Sequence, residues 1–446
     1  MMVVLIKILQ VVLALSVLII LHEFGHFTFA RIFGIRVDKF FLFFDAGGVK
    51  LFSTRSAWFV RLFPAAAKWQ TEYGIGWLPL GGYCKINGMV DESMDLDSLK
   101  HEPQPWEFRS HPAWQRLLVM FGGVLFNFIG AVVIFTGFMA VNGRSYISND
   151  NAEIYVNELS HEMGFRTGDH IISMDDYIPR DFSMLQADLA RRNVGKVTVL
   201  RYSDTLDIYI DRAMMGDVLQ SQGMFDLAVP FVVDTIPAGS PNAGCGLIRG
   251  DRVVSIDAEP VEYVQDSRPL LAGHAGRTVS VGVLRGADTL SVEAAVDTAG
   301  RIGVYMQMPQ VVTETYNLLE AIPAGIKYTF AQISGYVSDL RMVATPSTGA
   351  YKSVGSFISI GQVFPSQWDW GQFLYLVALL SVMLGVMNLI PIPGLDGGHI
   401  VFTLYEMLTG RKPSDSFLAV MQMIGLFLLL ALMFLAFGND IGRLMK

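Results

Sequence analysis

The sequence Leu21-His22-Glu23-Phe24-Gly25-His26 lies at the end of an apolar run, Val3–Ile20, that carries a single charged residue. His22 and His26 are four residues apart, so on a helix both imidazoles lie on one face and can bind one metal ion. Glu23 adjoins the first imidazole, where its carboxylate can act as a general base toward water. Because burying such groups at membrane depth is costly, the pattern favours a catalytic metal site over two hydrogen-bonded core histidines beside a surface glutamate.

The composition is typical of a membrane protein with soluble parts. Of the 446 residues, 52% are hydrophobic and 17% are charged, and the mean hydropathy is +0.41. The net charge of −8 is spread along the chain, which argues against a nucleic-acid partner. Two cysteines, Cys84 and Cys245, are too far apart in sequence to form a CxxC site. We expect the apolar N-terminal run to be retained, because cleavage as a signal peptide would remove the histidines.

We predict a polytopic α-helical membrane protein with four transmembrane helices, at residues 1–33, 114–142, 371–399 and 417–438. The end of the first helix and the residues after it are strongly basic: Arg31, Arg36, Lys39, Lys50, Arg55, Arg61 and Lys68. The positive-inside rule therefore predicts that loop 34–113 is cytoplasmic and that the N-terminus is outside. His22 follows about 20 residues of helix, or about 30 Å, which predicts an active site near the cytoplasmic face.

Two stretches of the cytoplasmic loop have distinctive patterns. Tyr73–Ile86 has glycine and proline among apolar strand-forming residues, which predicts a membrane-associated β-hairpin. Lys50–Trp69 mixes basic and aromatic side chains. That mixture fits a segment lying on the membrane surface, and an ordinary amphipathic packing helix fits equally well.

The middle of the chain contains an internal repeat. Gly164–Asp175 matches Gly246–Asp257 at an offset of 82 residues, and alternating strand patterns follow both copies. The shared pattern resembles PDZ domains, which bind peptides by adding a strand to a sheet edge. We therefore predict two extracytoplasmic PDZ-like β-rich domains, at 150–220 and 221–310, that bind peptides or chain ends. A purely structural β-module is the alternative. An interfacial amphipathic helix and linker are predicted at 317–365.

The third apolar segment ends in Asn388-Leu-Ile-Pro-Ile-Pro-Gly-Leu-Asp-Gly-Gly-His399. Pro391 and Pro393 break the helix and free backbone groups near the bilayer face. Two histidines leave a tetrahedral zinc site one protein ligand short, and Asp396 is the best candidate for that ligand. His399 is the competing candidate. In the second span, the amide of Asn127 fits either an interhelical hydrogen bond or a role at the metal site.

The pair HEFGH and NLIPIPGLDGGH resembles the site-2 protease family of intramembrane zinc metalloproteases, and within it the bacterial regulator-of-sigma-E proteases. GIGWLPLGGY is similar to the family's membrane-associated β-loop, and GVLFN is similar to its GxxxN stretch. The resemblance implies a zinc cofactor with the ligands His22, His26 and Asp396 and the general base Glu23. It also implies substrate contacts from Asn388, Pro391 and Pro393, and it places Asn127 near the site. Residues 45–68 depart from the family, because this region is longer and more aromatic than usual.

The resemblance implies a zinc metalloendopeptidase of the bacterial inner membrane. Its substrates would be single-span membrane proteins of the anti-sigma-factor type, cut after another protease has removed their outer domains; remnant signal peptides are a further candidate substrate. Two other functions fit the residues less well. A non-enzymatic scaffold with a structural metal does not need Glu23, and a metal-ion transporter would need polar residues through several spans.

Overall fold

The computed structural model describes residues 2–79, 81–89, 102–221, 223–309 and 311–445. The chain forms two compact units. We call the first the membrane unit; it comprises Met1–Gly143, Thr315–Ala344 and Tyr351–Lys446. We call the second the repeat unit; it comprises Arg144–Glu314 and Thr345–Ala350.

The helices, in chain order, are α1 (Met2–Ile32), α2 (Ala57–Leu62), α3 (Ala113–Asn142), α4 (Glu158–Glu162), α5 (Leu185–Arg191), α6 (Met215–Gln220), α7 (Val264–Gly273), α8 (Leu318–Val343), α9 (Phe357–Val363), α10 (Trp370–Leu389), α11 (Asp396–Thr409) and α12 (Asp415–Leu444). The strands are β1 (Val37–Leu42), β2 (Lys50–Ser53), β3 (Glu72–Gly76), β4 (Tyr83–Ile86), β5 (Arg144–Ile147), β6 (Ile154–Val156), β7 (His170–Met174), β8 (Lys196–Arg201), β9 (Asp204–Tyr209), β10 (Phe225–Leu227), β11 (Val233–Thr235), β12 (Arg252–Ile256), β13 (Glu259–Pro260), β14 (Thr278–Arg285), β15 (Asp288–Ala295), β16 (Tyr305–Met306) and β17 (Val311–Glu314).

Four helices among the described residues are long and apolar enough to cross a membrane: Met2–Ile32, Ala113–Asn142, Trp370–Leu389 and Ser416–Arg443. This finding supports the predicted polytopic architecture. Helix α3 is central, because it packs against α1, α8, α10 and α11. Gly25 of α1 meets Gly122 of α3, where an added Cβ would lie 2.1 Å from the Gly122 carbonyl oxygen. Small residues at this crossing therefore let the two backbones touch.

The chain breaks between α10 and α11 because of its prolines. Ile390 is extended after the last turn of α10, and Pro391 and Pro393 follow it. Helix α11 then begins at Asp396. An added Cβ on Gly397 would lie 2.1 Å from the carbonyl oxygen of Ile390, so the first turn of α11 packs directly against the backbone at the end of α10. The break delivers the carboxylate of Asp396 at the start of a helix.

The predicted β-hairpin at Tyr73–Ile86 is wrong in its pairing. This stretch supplies β3 and β4, but the sheet order is β2-β3-β1-β4, so β1 lies between them. Strand β1 pairs with β3 in parallel and with β4 antiparallel. Local alternation in the sequence predicts strands, but it does not reveal that an earlier strand inserts between two later ones.

The repeat unit contains the sheets β7-β8-β9 and β13-β12-β14-β15, together with the pairs β6–β10, β11–β16 and β5–β17. The two sequence copies make matching ion pairs. Asp169 accepts two hydrogen bonds from Arg201, and Asp251 accepts two from Arg285, at 2.7–2.8 Å. Both carboxylates are fully buried. Each copy therefore closes its loop around an internal carboxylate–guanidinium contact.

Candidate metal centre

Two imidazoles of α1 face one point. His22 and His26 are one helical turn apart, and their Nε2 atoms are 3.2 Å from each other. The two rings meet edge to face, with centroids 4.8 Å apart. His26 is buried, with 6% of its surface exposed. The helix thus positions both rings without any contribution from a loop.

Asp396 reaches the same point from the start of α11. Its Oδ2 atom is 3.2 Å from His22 Nε2 and 3.3 Å from His26 Nε2. His22, His26 and Asp396 form the one group among the described residues whose His, Cys, Asp or Glu atoms are arranged to hold a metal ion. His399, the competing candidate, is not part of this group, and its side chain hydrogen-bonds Gln422 of α12 instead.

The side chains of His22, His26 and Asp396 are arranged to bind a metal cation, not to form an ion pair between protonated histidines and the carboxylate. His26 Nδ1 is 2.8 Å from the Val119 carbonyl oxygen, which can only accept, so Nδ1 carries the proton. The Nε2 atom of His26 therefore presents a lone pair. Asp396 Oδ2 is buried and has no hydrogen-bond donor among the described residues. If both Nε2 atoms were protonated to donate hydrogen bonds to this carboxylate, the two neighbouring N–H groups would repel each other.

The spacing of the three atoms suits zinc. Ligand atoms at about 2.0–2.1 Å from one tetrahedral ion lie about 3.3 Å from one another. The observed separations are 3.2 Å, 3.2 Å and 3.3 Å. Helix α3 leaves room for this cluster, because an added Cβ on Gly123 would lie 2.5 Å from His26 Nε2. The site is thus a preformed cradle of three electron-pair donors.

Asn127 of α3 contacts the outer nitrogen of His22. Its Nδ2 atom is 3.1 Å from His22 Nδ1, and its buried Oδ1 atom has no partner among the described residues. Rotating the amide by half a turn places Oδ1 at the position of Nδ2, where it accepts a hydrogen bond from the Nδ1–H of His22. The Nε2 atom of His22 would then also present its lone pair to the centre. Asn127 is therefore placed to orient an imidazole.

Glu23 lies beside the cluster and contacts the sheet. Its carboxylate accepts a hydrogen bond from the backbone N–H of Cys84 in β4. Strand β4 pairs with β1 and is the last strand in the order β2-β3-β1-β4. The carboxylate of Glu23, which is not one of the three converging donors, therefore lies against the backbone of β4.

The remaining candidate residues lie at the helix break. Asn388, in the last turn of α10, has its Nδ2 atom 3.4 Å from His22 Nε2. Pro391 and Pro393 follow it in the break, and neither has a polar side-chain group to contact the imidazoles. The Val119 carbonyl, the Cys84 amide and Gly123 were not among the sequence candidates. Backbone carbonyl and amide groups leave no chemical signal in a sequence, and the one signal for Gly123 was its place at the start of GVLFN.

Comparison with known proteins identifies the family. Residues 10–432 match the model of peptidase family M50. The chain belongs to peptidase family M50. This M50 peptidase is 27% identical to a protein of Ralstonia nicotianae named as a zinc metalloprotease, over 98% of both chains. It is also 27% identical to the regulator of sigma-E protease RseP of Salmonella typhimurium, over 97% of this chain and 98% of the relative.

The predicted activity and cofactor are confirmed at the level of the family. The protein is an intramembrane zinc metalloprotease, as its family, its relatives and its four apolar helices indicate. The resemblance drawn from HEFGH and NLIPIPGLDGGH is therefore correct. An M50 peptidase with RseP among its relatives is consistent with an inner-membrane location.

Proposed function

We propose that this M50 peptidase cuts a peptide bond in or near the transmembrane segment of single-span membrane proteins, as the second cut of a regulated cascade. The observation that carries the proposal is the convergence of His22 and His26, on a helix apolar enough to span a membrane, with Asp396, which follows another such helix. His22 lies 20 residues after the start of α1, or about 30 Å along it. A centre at that depth supports cleavage near one membrane face.

The contacts of these residues support a role for each of them. His22, His26 and Asp396 are the zinc ligands. Zinc bound there acts as a Lewis acid, which activates water and polarises a carbonyl. Glu23, which is not in the ligand group, takes the proton from water and returns it to the leaving amine. Asn127 holds the His22 ring in the binding orientation, in addition to its expected place near substrate.

Substrate would bind as an added strand. A transmembrane helix hides each carbonyl in an internal hydrogen bond, so the substrate must unwind before attack. Strand β4, whose Cys84 backbone N–H contacts the carboxylate of Glu23, is the candidate partner for an unwound chain. Asn388, Pro391 and Pro393 would hold the other side of the substrate, because the helix break frees backbone groups there.

The repeats would act as a filter. We propose PDZ-like domains at 150–220 and 221–310, outside the cytoplasm together with the N-terminus, that bind peptides or new chain ends. The active site would then lie near the cytoplasmic face, as the basic residues after α1 support. Substrates of the anti-sigma-factor type would be admitted after their outer domains are removed. Remnant signal peptides have the same single-span form and are a second candidate substrate.

A reconstituted cleavage assay tests the proposal. Purified protein in liposomes is given a single-span substrate with or without a folded outer domain. We expect cleavage within the span of the truncated substrate, loss of cleavage on zinc chelation and recovery on adding Zn²⁺. Equal cleavage of both substrates would reject the second-cut role and leave the intramembrane activity standing. Cleavage only outside the span would reject the proposed substrate class.

A further inference from the structure

An exposed segment of the membrane unit is not used by the catalytic centre. Residues 55–69 connect β2 to β3 and contain α2 and a short 3-10 helix at Pro64–Lys68. We call these residues the basic aromatic segment. Its large apolar side chains are strongly exposed: Trp58 60%, Leu62 65%, Phe63 51% and Trp69 44%. Trp58 and Leu62 are one turn apart on α2 and so share a face.

The charges of this segment have one sign. No acidic residue occurs between Asp45 and Glu72, although four basic residues do. Lys50 is neutralised by Glu72 at 2.6 Å. Arg61 and Lys68 are exposed and make no ion pair with any residue in the described ranges. The segment therefore presents exposed aromatic rings and unneutralised positive charge together.

The segment is fixed to the last turns of α1. Arg31 of α1 donates a hydrogen bond to the Gln70 side chain. The Trp69 ring contacts Tyr73 at 6.0 Å between centroids, and Tyr73 contacts Phe27 of α1 at 6.1 Å. A bilayer that holds α1 therefore brings its surface to the end of the helix where the segment is attached. This continuity with a membrane-spanning helix selects a lipid surface as the partner.

We propose that the basic aromatic segment binds the surface of a bilayer containing anionic phospholipids. Trp58, Leu62 and Phe63 enter the boundary between headgroups and acyl chains, where amphipathic aromatic rings are favoured. Arg61 and Lys68 contact the anionic headgroups. Each basic side chain near an anionic surface favours contact by about fivefold. The segment thereby anchors the β2-β3-β1-β4 sheet to the same bilayer that holds α1.

Hydrogen–deuterium exchange of the full-length protein tests this proposal without using its activity. The protein is reconstituted in phosphatidylcholine alone or in roughly 3:1 phosphatidylcholine and phosphatidylglycerol. We expect the amides of residues 57–69 to exchange several-fold more slowly in the anionic membrane. The double variant Arg61→Glu/Lys68→Glu should lose that lipid-dependent difference, as should the natural protein at high salt.

A matched charge change provides the control. Arg268 and Arg277 of the repeat unit are also exposed, so Arg268→Glu/Arg277→Glu makes the same change of charge elsewhere. This variant should keep the lipid-dependent protection. Equal exchange in both membranes would overturn the proposal. Protection that rises with protein concentration in either lipid would also overturn it, and would assign the surface to a second copy of the chain.

Discussion

Buried carboxylates in the two units have opposite surroundings. In the repeat unit, Asp251 accepts two hydrogen bonds from Arg285 and one from the backbone N–H of Ile248. In the membrane unit, Asp396 Oδ2 has no donor among the described residues and faces two imidazole nitrogens at 3.2–3.3 Å. Asp251 is paired with a cationic side chain of the same protein, whereas Asp396 is arranged to bind a metal cation taken from solution.

This difference separates residues that serve the fold from residues that serve the chemistry. An internal ion pair becomes complete when the chain folds, so its removal should lower stability and leave catalysis intact. An unsatisfied carboxylate contributes nothing favourable to the metal-free fold, and its removal should have the reverse effect. The second copy of the internal pair, Asp169 with Arg201, has the same contacts and belongs to the first class.

Glu23→Gln is expected to have the largest effect on the reaction. Glu23 belongs to neither class, because it is not one of the three convergent donors and has no guanidinium partner among the described residues. Replacing the base should lower the rate of cleavage about 10²- to 10⁴-fold. Zinc content and thermal stability should not change, because the amide keeps the shape of the side chain. Cleavage of a single-span substrate and elemental analysis measure both quantities; near-normal cleavage would exclude Glu23 as the base.

Asp396→Asn tests one side of the comparison. We expect zinc affinity to fall by more than the roughly 10- to 100-fold that loss of an orienting group causes, and cleavage to be lost with it. The melting temperature of the metal-free protein should stay the same or rise, since a buried charge has been removed. Zinc titration and thermal unfolding after chelation provide the two measurements. Unchanged zinc content would assign the third ligand elsewhere, with His399 the first alternative.

Asp251→Asn makes the same chemical change on the other side of the comparison. It should lower the free energy of unfolding of the repeat unit by about 1–3 kcal/mol, because Arg285 loses its charged acceptor. Zinc content should remain that of the natural protein. Thermal unfolding followed by circular dichroism measures the first effect and elemental analysis the second. If Asp251→Asn lost zinc while remaining folded, the division into two classes of carboxylate would fail.

The sequence predicted the convergence of His22, His26 and Asp396 better than it predicted the sheet. His22 and His26 are related by helical spacing, and the prolines before Asp396 signal a break, so both features can be read locally. The insertion of β1 between β3 and β4 depends on pairing between distant segments, which has no local pattern. Helix α11, which presents Asp396 at its first residue, was also missed. A motif at the end of an apolar run does not reveal that a new helix starts within it.

Two glycines extend the comparison from charge to backbone. Gly123→Ala would put a Cβ 2.5 Å from His26 Nε2, so we expect zinc binding to weaken by roughly tenfold or more with little change in stability. Gly246 has φ +100°, a conformation that side chains disfavour. Gly246→Ala should therefore destabilise the repeat unit by about 1–3 kcal/mol and leave zinc affinity unchanged. Zinc titration and thermal unfolding of both variants separate the two outcomes. Equal zinc affinities would contradict the inference that Gly123 leaves room for the metal-binding side chains.

The acid dependence of stability should show the smallest effect. Hydrogen bonds from the Arg285 guanidinium hold the pKa of Asp251 below its usual range. A carboxyl with a lowered pKa in the folded state stabilises the protein fully above its unfolded pKa of about 3.9 and loses that contribution as the pH falls further. The difference in stability between natural protein and Asp251→Asn should thus be constant from about pH 7 to about pH 5 and shrink toward pH 3. Unfolding curves across this range measure it, and a difference that grows on acidification would contradict the ion pair as its source.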